Sequence, residues 1–171
     1  SVGIVRSINE IGFTAKQFGG GMVGLQYATF LEKLGEQLEG IVNYDFWVPE
    51  PTLQFPGIQE FLSKYQEYAV DAGVDPLGYY LPPYAYAYLQ ILGQAITETE
   101  SIDEEILAEH IRSNEFSTVV GNVAFGPDGE WKKSRILMVQ FQNIVGRNLQ
   151  QFTEPGTRVV LYPPEWASGQ P

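Results

Sequence analysis

The spacing of hydrophobic residues predicts helices along most of the chain. Apolar side chains recur every three or four positions, so each of these segments would present one apolar face to a core. Gly12 closes the first segment, and either Ser101 or Asp103 is suited to cap the last. The predicted helices cover residues 1–11, 25–38, 58–69, 83–96 and 101–113.

Shorter apolar runs between glycine and proline clusters predict strands. In the first half of the chain, strands and helices alternate, which favours a parallel α/β sheet. Later, Pro127, Asp128 and Gly129 form a turn signal, and the strands on either side of it are expected to pair in antiparallel fashion. The predicted strands are residues 13–18, 40–47, 119–125, 131–142 and 159–162.

Composition excludes several classes of function. The formal net charge is −11 and the sequence pI is near 4.4, so nucleic acid and anionic membranes would be repelled. The chain has no cysteine and one histidine, His110, which excludes disulfides, thiolate metal sites and multi-histidine sites. It contains no run of about 18 apolar residues that would span a membrane. It starts at Ser1 without a charged and apolar leader, so any signal peptide is expected to lie outside it.

Two segments carry a resemblance to a known family. They are residues 79–96, YYLPPYAYAYLQILGQAI, and residues 121–142, GNVAFGPDGEWKKSRILMVQFQ, with a predicted helix between them. In this order they resemble the carboxy-terminal part of the branched-chain amino acid and amide class of ABC transporter substrate-binding proteins. The resemblance extends over nearly the whole chain. It implies an α/β architecture with an incomplete type I periplasmic-binding-protein fold, in which helices flank a parallel sheet with an added antiparallel hairpin.

The resemblance also implies a division between two lobes. Family members have two α/β lobes joined by three crossovers, and each lobe contains non-adjacent parts of the chain. Residues 1–75 are expected to form part of the carboxy-terminal lobe, and 76–134 the closing part of the amino-terminal lobe. Residues 135–171 are expected to supply the return crossover strand and the carboxy-terminal tail. Most of the amino-terminal lobe has no counterpart in these residues.

The carboxyl ends of the first two predicted strands are the expected ligand-binding edge, because open α/β sheets bind ligands outside these ends. Gly20 and Gly21 would let the backbone approach a ligand closely. The N–H groups that follow, from Met22 onward, could meet a carboxylate or a carbonyl oxygen. The alternative interpretation of the glycines is a tight turn from strand to helix without ligand contact.

Aromatic residues at the same edge are candidates for contact with an apolar or aromatic solute. Phe46 and Trp47 lie at the carboxyl end of the second predicted strand and offer large, rigid rings, with core packing as the alternative role. Tyr80 and Tyr84 lie near the aromatic contact that the resemblance places at the start of the next helix. The closest alignment puts Pro83 where that aromatic residue would stand.

One departure from the family pattern concerns the ligand. Family members that bind leucine-type amino acids carry an acidic residue in the first cleft loop, where this chain has Gly21. A buried ammonium would then lack a compensating charge. The ligand is expected either to lack an α-amino group or to use another carboxylate, and branched-chain amino acids, amides, and aromatic or organic acids all stay open.

The resemblance implies a non-enzymatic role. The chain is expected to be a fragment of an extracytoplasmic solute-binding protein, periplasmic or lipid-anchored, that closes its lobes around a small molecule and delivers it to ABC permease subunits. No cofactor and no metal are expected. Self-association is expected through apolar surface that the missing lobe would cover.

Two other functions are weighed against this one. The same fold could serve as the ligand-sensing domain of a receptor or regulator. An enzyme would need a nucleophile motif or two carboxylates in one cleft, and no motif of the Gly-x-Ser-x-Gly type is present. Glu104 and Glu105 are explained as helix-start residues, while Glu32, Glu36 and Glu39 are expected to form a solvated helix face.

Overall fold

The computed structural model describes residues 2–133 and 135–171, so Ser1 and Ser134 lie outside the described residues. Within these ranges the α-helices are α1 (Val2–Ile11), α2 (Ala28–Leu34), α3 (Ile58–Ala72), α4 (Pro82–Thr99) and α5 (Glu104–Ser113). The strands are β1 (Phe18–Gly20), β2 (Ile41–Asp45), β3 (Glu115–Thr118), β4 (Gly121–Ala124), β5 (Leu137–Phe141) and β6 (Arg158–Tyr162). Short 3-10 helices occupy Val23–Gln26, Gly35–Leu38, Pro51–Leu53, Leu149–Thr153 and Pro164–Trp166.

The main sheet has the strand order β1-β2-β5-β6. β1 runs parallel to β2, with Phe18 opposite Ile41, and the helical crossover α2 joins them. β5 is antiparallel to β2, and β6 is antiparallel to β5. The predicted α/β fold with a parallel pair flanked by helices is therefore confirmed, and the two later strands make the sheet mixed.

Helix boundaries follow the capping signals in the sequence. Asp103 is the cap of α5, since its carboxylate accepts hydrogen bonds from the N–H groups of Glu105 and Ile106. The helix α4 begins one residue earlier than predicted, because both Pro82 and Pro83 fit the first turn, where an N–H has no helical partner. In the described part of the chain, no helix combines the length and the apolar character that a membrane span requires.

Two predicted elements differ from the structure near the amino terminus. The strand expected over residues 13–18 is wrong for most of its length, since only Phe18 lies in β1, which continues through Gly20. Pairing with β2 places the glycines inside the ladder, a long-range effect that local apolar spacing does not report. The helix expected over residues 25–38 is divided into α2 and a 3-10 segment on either side of it. Tyr27 is extended before α2, and Gly35 has a positive φ where α2 ends.

The added antiparallel hairpin, expected between residues 119–125 and 131–142, forms only near its turn, because Gly121–Ala124 (β4) pairs instead with β3, which was not predicted. The expected pairing of residues 119–125 with 131–142 holds at its turn, where Phe125 bridges Trp131 and Lys132 N–H donates to the Ala124 carbonyl (2.9 Å). Beyond Arg135 the chain leaves the hairpin, and β5 enters the main sheet between β2 and β6. Leu137, Val139 and Phe141 are all buried there, which explains why the strand joins this larger core.

One continuous core connects these elements. Its largest fully buried side chains include Trp47, Phe116, Phe141 and Phe152. Helix α3 packs beside α4, and the rings of Phe61 and Tyr86 lie 4.8 Å apart. The core therefore extends from the main sheet to the layer formed by α3, α4, α5 and the hairpin.

Candidate ligand-binding site

The candidate residues come together at one edge of the main sheet. β1 and β2 are parallel and end at Gly20 and Asp45, so their carboxyl ends lie side by side. Phe46 follows β2 directly, and the start of α4 brings Tyr80 and Tyr84 to it. This is the edge at which ligands bind in open α/β sheets.

The ring of Phe46 is the centre of an aromatic cluster. It lies 5.8 Å from the ring of Tyr44, 5.6 Å from that of Tyr80 and 5.4 Å from that of Tyr84. The Tyr27 ring extends the cluster, 6.0 Å from Tyr80. These five residues are called the aromatic face below. The separations match those of favourable edge-to-face and tilted ring pairs, so the rings support one another in fixed positions.

Hydroxyl groups fix part of the aromatic face. The Tyr84 hydroxyl donates to the Phe46 carbonyl (2.9 Å), and the Tyr44 and Tyr80 hydroxyls lie 3.5 Å apart. The hydrogen bond with Tyr44, with some burial, raises the pKa of Tyr80 to about 12. Burial also raises the pKa of Tyr84. Both phenols are therefore neutral at physiological pH and act as uncharged hydrogen-bonding groups.

The loop after β1 is held by a side-chain amide from β2. Met22 N–H donates to Asn43 Oδ1 (2.8 Å), and Asn43 Nδ2 donates to the Met22 carbonyl (3.2 Å). The Met22 N–H is thus engaged within the protein, and its side chain is buried. Gly21 is exposed, and a Cβ there would lie 3.8 Å from the Tyr44 ring. Gly21 therefore borders the aromatic face at Tyr44, and Gly20 precedes it at the end of β1.

Trp47 occupies the core beneath the aromatic face. It is 1% exposed, its Nε1–H donates to the Leu53 carbonyl (2.9 Å), and its ring lies 4.9 Å from that of Tyr79. This position corresponds to the core-packing alternative for Trp47. Phe46, by contrast, is partly exposed.

A buried ion pair lies next to the aromatic face. Asp45 Oδ2 and Arg158 Nη1 are 3.5 Å apart, and both side chains are almost completely buried. Burial raises the pKa of Asp45 to about 6, although Arg158 acts in the opposite direction. Among the described residues, Arg158 Nε and Nη1 lack hydrogen-bond partners, so the pair is incompletely compensated.

Other candidate groups have structural partners. His110 Nε2 lies 2.6 Å from Glu98 Oε2. Glu36 accepts a hydrogen bond from Gly146 N–H (2.7 Å), and Glu39 accepts one from Ile144 N–H (2.9 Å). Two of the three glutamates that were expected to form a solvated helix face therefore bind the loop after β5. No cluster of three potential metal-binding side chains is found in residues 2–133 and 135–171.

Sequence reasoning missed two members of the aromatic face. Tyr44 lies inside β2, whereas the rule for open α/β sheets points only to residues at the carboxyl end of a strand. Strand alternation was an available signal, because successive side chains of a strand point to opposite faces of the sheet. In the structure Tyr44 is half-buried, whereas its neighbours Asn43 and Asp45 are buried. Tyr27 fell within the predicted helix 25–38, whereas in the structure it precedes α2 in an extended conformation.

Comparison with solved structures returns substrate-binding proteins. A leucine-binding protein from Thermotoga maritima MSB8 is 24% identical, with a TM-score of 0.62, and the match covers 83% of this chain and 38% of that one. An ABC transporter substrate-binding protein from Sphaerobacter thermophilus is 18% identical, with a TM-score of 0.67, covering 97% and 42%. An amino acid ABC transporter substrate-binding protein from Pseudomonas fluorescens Pf-5 is 16% identical, with a TM-score of 0.64, covering 96% and 42%.

These matches establish the fold. The chain has part of the fold of periplasmic solute-binding proteins, as the resemblance in its sequence implied, and it spans about two fifths of the length of the structures just described. No family model matches the chain, and no curated protein does either.

Proposed function

We propose that the chain is part of an extracytoplasmic solute-binding protein, which encloses a small organic molecule between two lobes and delivers it to an ABC permease. The observation that carries this proposal is the aromatic face at the carboxyl ends of β1 and β2, in a fold shared with substrate-binding proteins. Binding by enclosure requires shape, rings and hydrogen-bonding groups, and no reactive residue. The protein would accordingly be a binder and not an enzyme.

We propose to keep the boundary between residues 134 and 135 of the expected division, and to move its first boundary from residue 75 to the segment between β2 and α3. One contact bears on its first boundary, because Phe61 of α3 packs on Tyr86 of α4. Helix α3 would therefore move with the second part of the chain. The contact favours a crossover near Pro49 and Pro51, between β2 and α3, over one at residue 75.

The proposed ligand lacks a primary ammonium group. Two acids adjoin the aromatic face, and both are engaged. Asp45 is buried beside Arg158, and Asp75 accepts hydrogen bonds from the N–H groups of Ala28, Leu77 and Gly78. A primary ammonium would thus compete with existing partners for these carboxylates. This favours amides and aromatic or organic acids over free branched-chain amino acids.

The second candidate function is ligand sensing by a receptor. It is favoured by the similarity to an extracellular ligand binding receptor from Desulfohalobium retbaense DSM5692, which is 18% identical with a TM-score of 0.55 over 82% of this chain and 23% of that one. Permease and ATPase genes beside the gene for this chain would favour transport over sensing. Fusion to a signalling domain would favour the receptor.

A thermal-shift screen of a longer protein that includes both lobes tests the binding function. A ligand that binds only the folded state at one hundred times its Kd adds about 2.7 kcal/mol to the free energy of unfolding, and so raises Tm. Amino acids, amides, aromatic acids and dicarboxylates are the classes to screen. If no class raises Tm, the proposal fails.

A pair of matched variants assigns the binding to the aromatic face. Tyr80→Leu removes a ring of the face, whereas Tyr88→Leu removes an exposed ring further along α4. The Tm shift caused by the ligand should largely disappear in Tyr80→Leu and persist in Tyr88→Leu. An equal shift in both would place the ligand elsewhere. Size-exclusion chromatography of the 171-residue chain tests self-association separately.

A further inference from the structure

A small pocket lies beside the aromatic face, at the start of α4. Its volume is about 170 Å³. Tyr27, Tyr65, Tyr79, Tyr80 and Asp75 line it. Tyr79 is buried, whereas Tyr27 and Leu81 are exposed, so the pocket reaches from the core to the surface. A cavity of about 150 Å³ accepts one benzene molecule, so this pocket has room for one compact group of a solute.

The pocket is held in shape by hydrogen bonds around Asp75. Its Oδ2 accepts from Ala28 N–H (2.8 Å), and its Oδ1 accepts from Leu77 N–H (3.0 Å) and Gly78 N–H (3.2 Å). The Tyr65 hydroxyl donates to the Asp75 backbone carbonyl (3.1 Å). The Tyr65 ring packs so closely on Gly78, which has a φ of +68°, that a Cβ there would collide with it. The walls are therefore positioned before any ligand enters.

The chemistry of these walls favours a positive charge. The faces of tyrosine rings carry negative electrostatic potential and attract cations. Asp75 adds a carboxylate, and the chain as a whole has a net charge of −11. Arg158 lies 5.0 Å from the Tyr79 ring, but its charge is offset by Asp45 at 3.5 Å. The environment therefore attracts a cation more than it attracts an uncharged apolar group.

The hydrogen bonds restrict the type of cation. A primary ammonium brings three N–H donors, which need acceptors once water is removed. The oxygens of Asp75 already take three backbone N–H groups. A quaternary ammonium has no N–H donor, and its methyl groups fit an apolar wall of aromatic rings. It gains from the ring faces without leaving a donor unsatisfied.

We propose that the pocket lined by Tyr27, Tyr65, Tyr79, Tyr80 and Asp75 binds the quaternary ammonium group of a solute, of the kind found in choline and betaines. Betaines are organic acids and so belong to a ligand class favoured above, whereas choline adds a class without a carboxylate. The biological meaning of the proposal rests on the solute-binding function proposed above. The pocket itself is formed entirely by residues of this chain.

Calorimetric titration of the 171-residue chain tests the proposal with two probes of the same shape. Choline chloride carries the charge, and 3,3-dimethylbutan-1-ol replaces its nitrogen with carbon. Choline should bind about tenfold or more tightly than the uncharged alcohol, since the ring faces and Asp75 act on charge. Equal binding of the two probes, tighter binding of the alcohol, or no binding of either overturns the proposal.

Variants of Tyr27 test whether the bound cation lies against the Tyr27 ring. Tyr27 is exposed at the mouth of the pocket, so its replacement should leave the fold intact, as circular dichroism would verify. Tyr27→Leu should weaken choline binding about threefold to tenfold, while Tyr27→Phe, which keeps the ring, should stay within about twofold of the unchanged protein. Tyr68→Leu, on the exposed side of α3, is the control. Unchanged binding in Tyr27→Leu would contradict the proposal.

The two proposals can fail independently. If the longer protein captures another solute but no form binds choline, the solute-binding function stands and the pocket proposal fails. If this chain binds choline with the expected variant pattern while the longer protein shows no ligand-dependent closure, the pocket proposal stands and transport by lobe closure fails.

Discussion

At the scale of single residues, the ion pair of Asp45 and Arg158 couples the candidate site to the far strand of the sheet. Asp45 ends β2 beside Phe46, and Arg158 begins β6. Both are buried, and the ion pair has a separation of 3.5 Å without a hydrogen bond. Desolvation outweighs the attraction, which is why the pKa of Asp45 rises to about 6.

This pKa predicts a specific dependence of stability on pH. The pKa of an unperturbed aspartate is 3.8, so the folded protein holds the Asp45 proton more tightly than the unfolded chain does. Raising the pH from about 4 to about 6 should therefore reduce the contribution of Asp45 to the free energy of unfolding, by about 3 kcal/mol in total at about 1.4 kcal/mol per pH unit. Below pH 4 the contribution is fully present, and above about 6 it is lost.

Urea denaturation of the unchanged protein and Asp45→Asn across pH 3.5 to 7.5 measures this effect. Other titrating groups affect both proteins, so the difference between the two curves isolates Asp45. The difference should change through the window from 4 to 6 and be flat on either side. Parallel curves would show that Asp45 titrates normally in the folded protein.

Gly19 is a second residue whose identity the fold fixes. In β1 it stands opposite Val42 of β2, and a Cβ at Gly19 would collide with the Val42 carbonyl oxygen, which belongs to the backbone. Gly19→Ala should lower the free energy of unfolding by about 2 kcal/mol, because the strands must separate to admit the methyl group. Thermal and urea unfolding would measure the loss.

Gly93 offers the matched control for this substitution. It lies in α4 with open space where a Cβ would go, so Gly93→Ala should raise the free energy of unfolding by about 0.5–1 kcal/mol. If both alanine variants behaved alike, the close approach of β1 and β2 at Gly19 would be refuted.

At the scale of elements, local patterns predict helices better than strand pairing. The helices α3, α4 and α5 follow from apolar spacing and capping residues, which are properties of neighbouring positions. The partner of a strand depends on distant residues. Glu115–Thr118 has one buried aromatic residue, Phe116, and becomes a strand because it pairs with β4. Likewise, the path of β5 into the main sheet depends on the space between β2 and β6.

The candidate site was predictable where it depends on topology. The rule that ligands bind at the carboxyl ends of parallel strands located Gly20, Gly21 and Phe46 at this edge, and the structure brings Tyr80 and Tyr84 to it. The sequence left ligand contact and core packing open for Trp47, and it did not predict the pocket at Tyr27. The inward position of Trp47 and this pocket depend on how the 3-10 segments and the loop before α4 pack in three dimensions.

The cap of α5 gives a prediction at this scale. The sequence left Ser101 and Asp103 as alternatives, and the structure assigns two backbone N–H groups of the first turn to Asp103. Asp103→Ala should cost about 1 kcal/mol of stability, since these donors lose their acceptor. The hydroxyl of Ser101 accepts from the Asp103 N–H (3.0 Å), outside the helix, so Ser101→Ala should cost less stability. A larger loss in Ser101→Ala than in Asp103→Ala would contradict this assignment.

At the scale of the whole molecule, Arg135 joins segments that are distant in sequence. Its guanidinium carbon lies 4.6 Å from the Phe55 ring, 5.2 Å from that of Trp131 and 4.3 Å from that of Trp166. Phe55 precedes α3, Trp131 follows the hairpin turn, and Trp166 lies in the carboxy-terminal segment. Trp131 in turn lies 6.1 Å from the ring of Tyr84, so this cluster adjoins the aromatic face.

The three rings predict that Arg135 cannot be replaced by another cation without loss. A guanidinium is planar and stacks on aromatic rings, whereas a lysine ammonium is a compact, strongly hydrated charge. Arg135→Lys should therefore lower the free energy of unfolding by about 1–2 kcal/mol, measured by urea denaturation. Lys133→Ala, at an exposed neighbouring position, should change it by less than about 0.5 kcal/mol. If Arg135→Lys changed the free energy of unfolding as little as the control does, a positive charge alone would explain the position of Arg135. Stacking on the rings would then not be what joins these three segments.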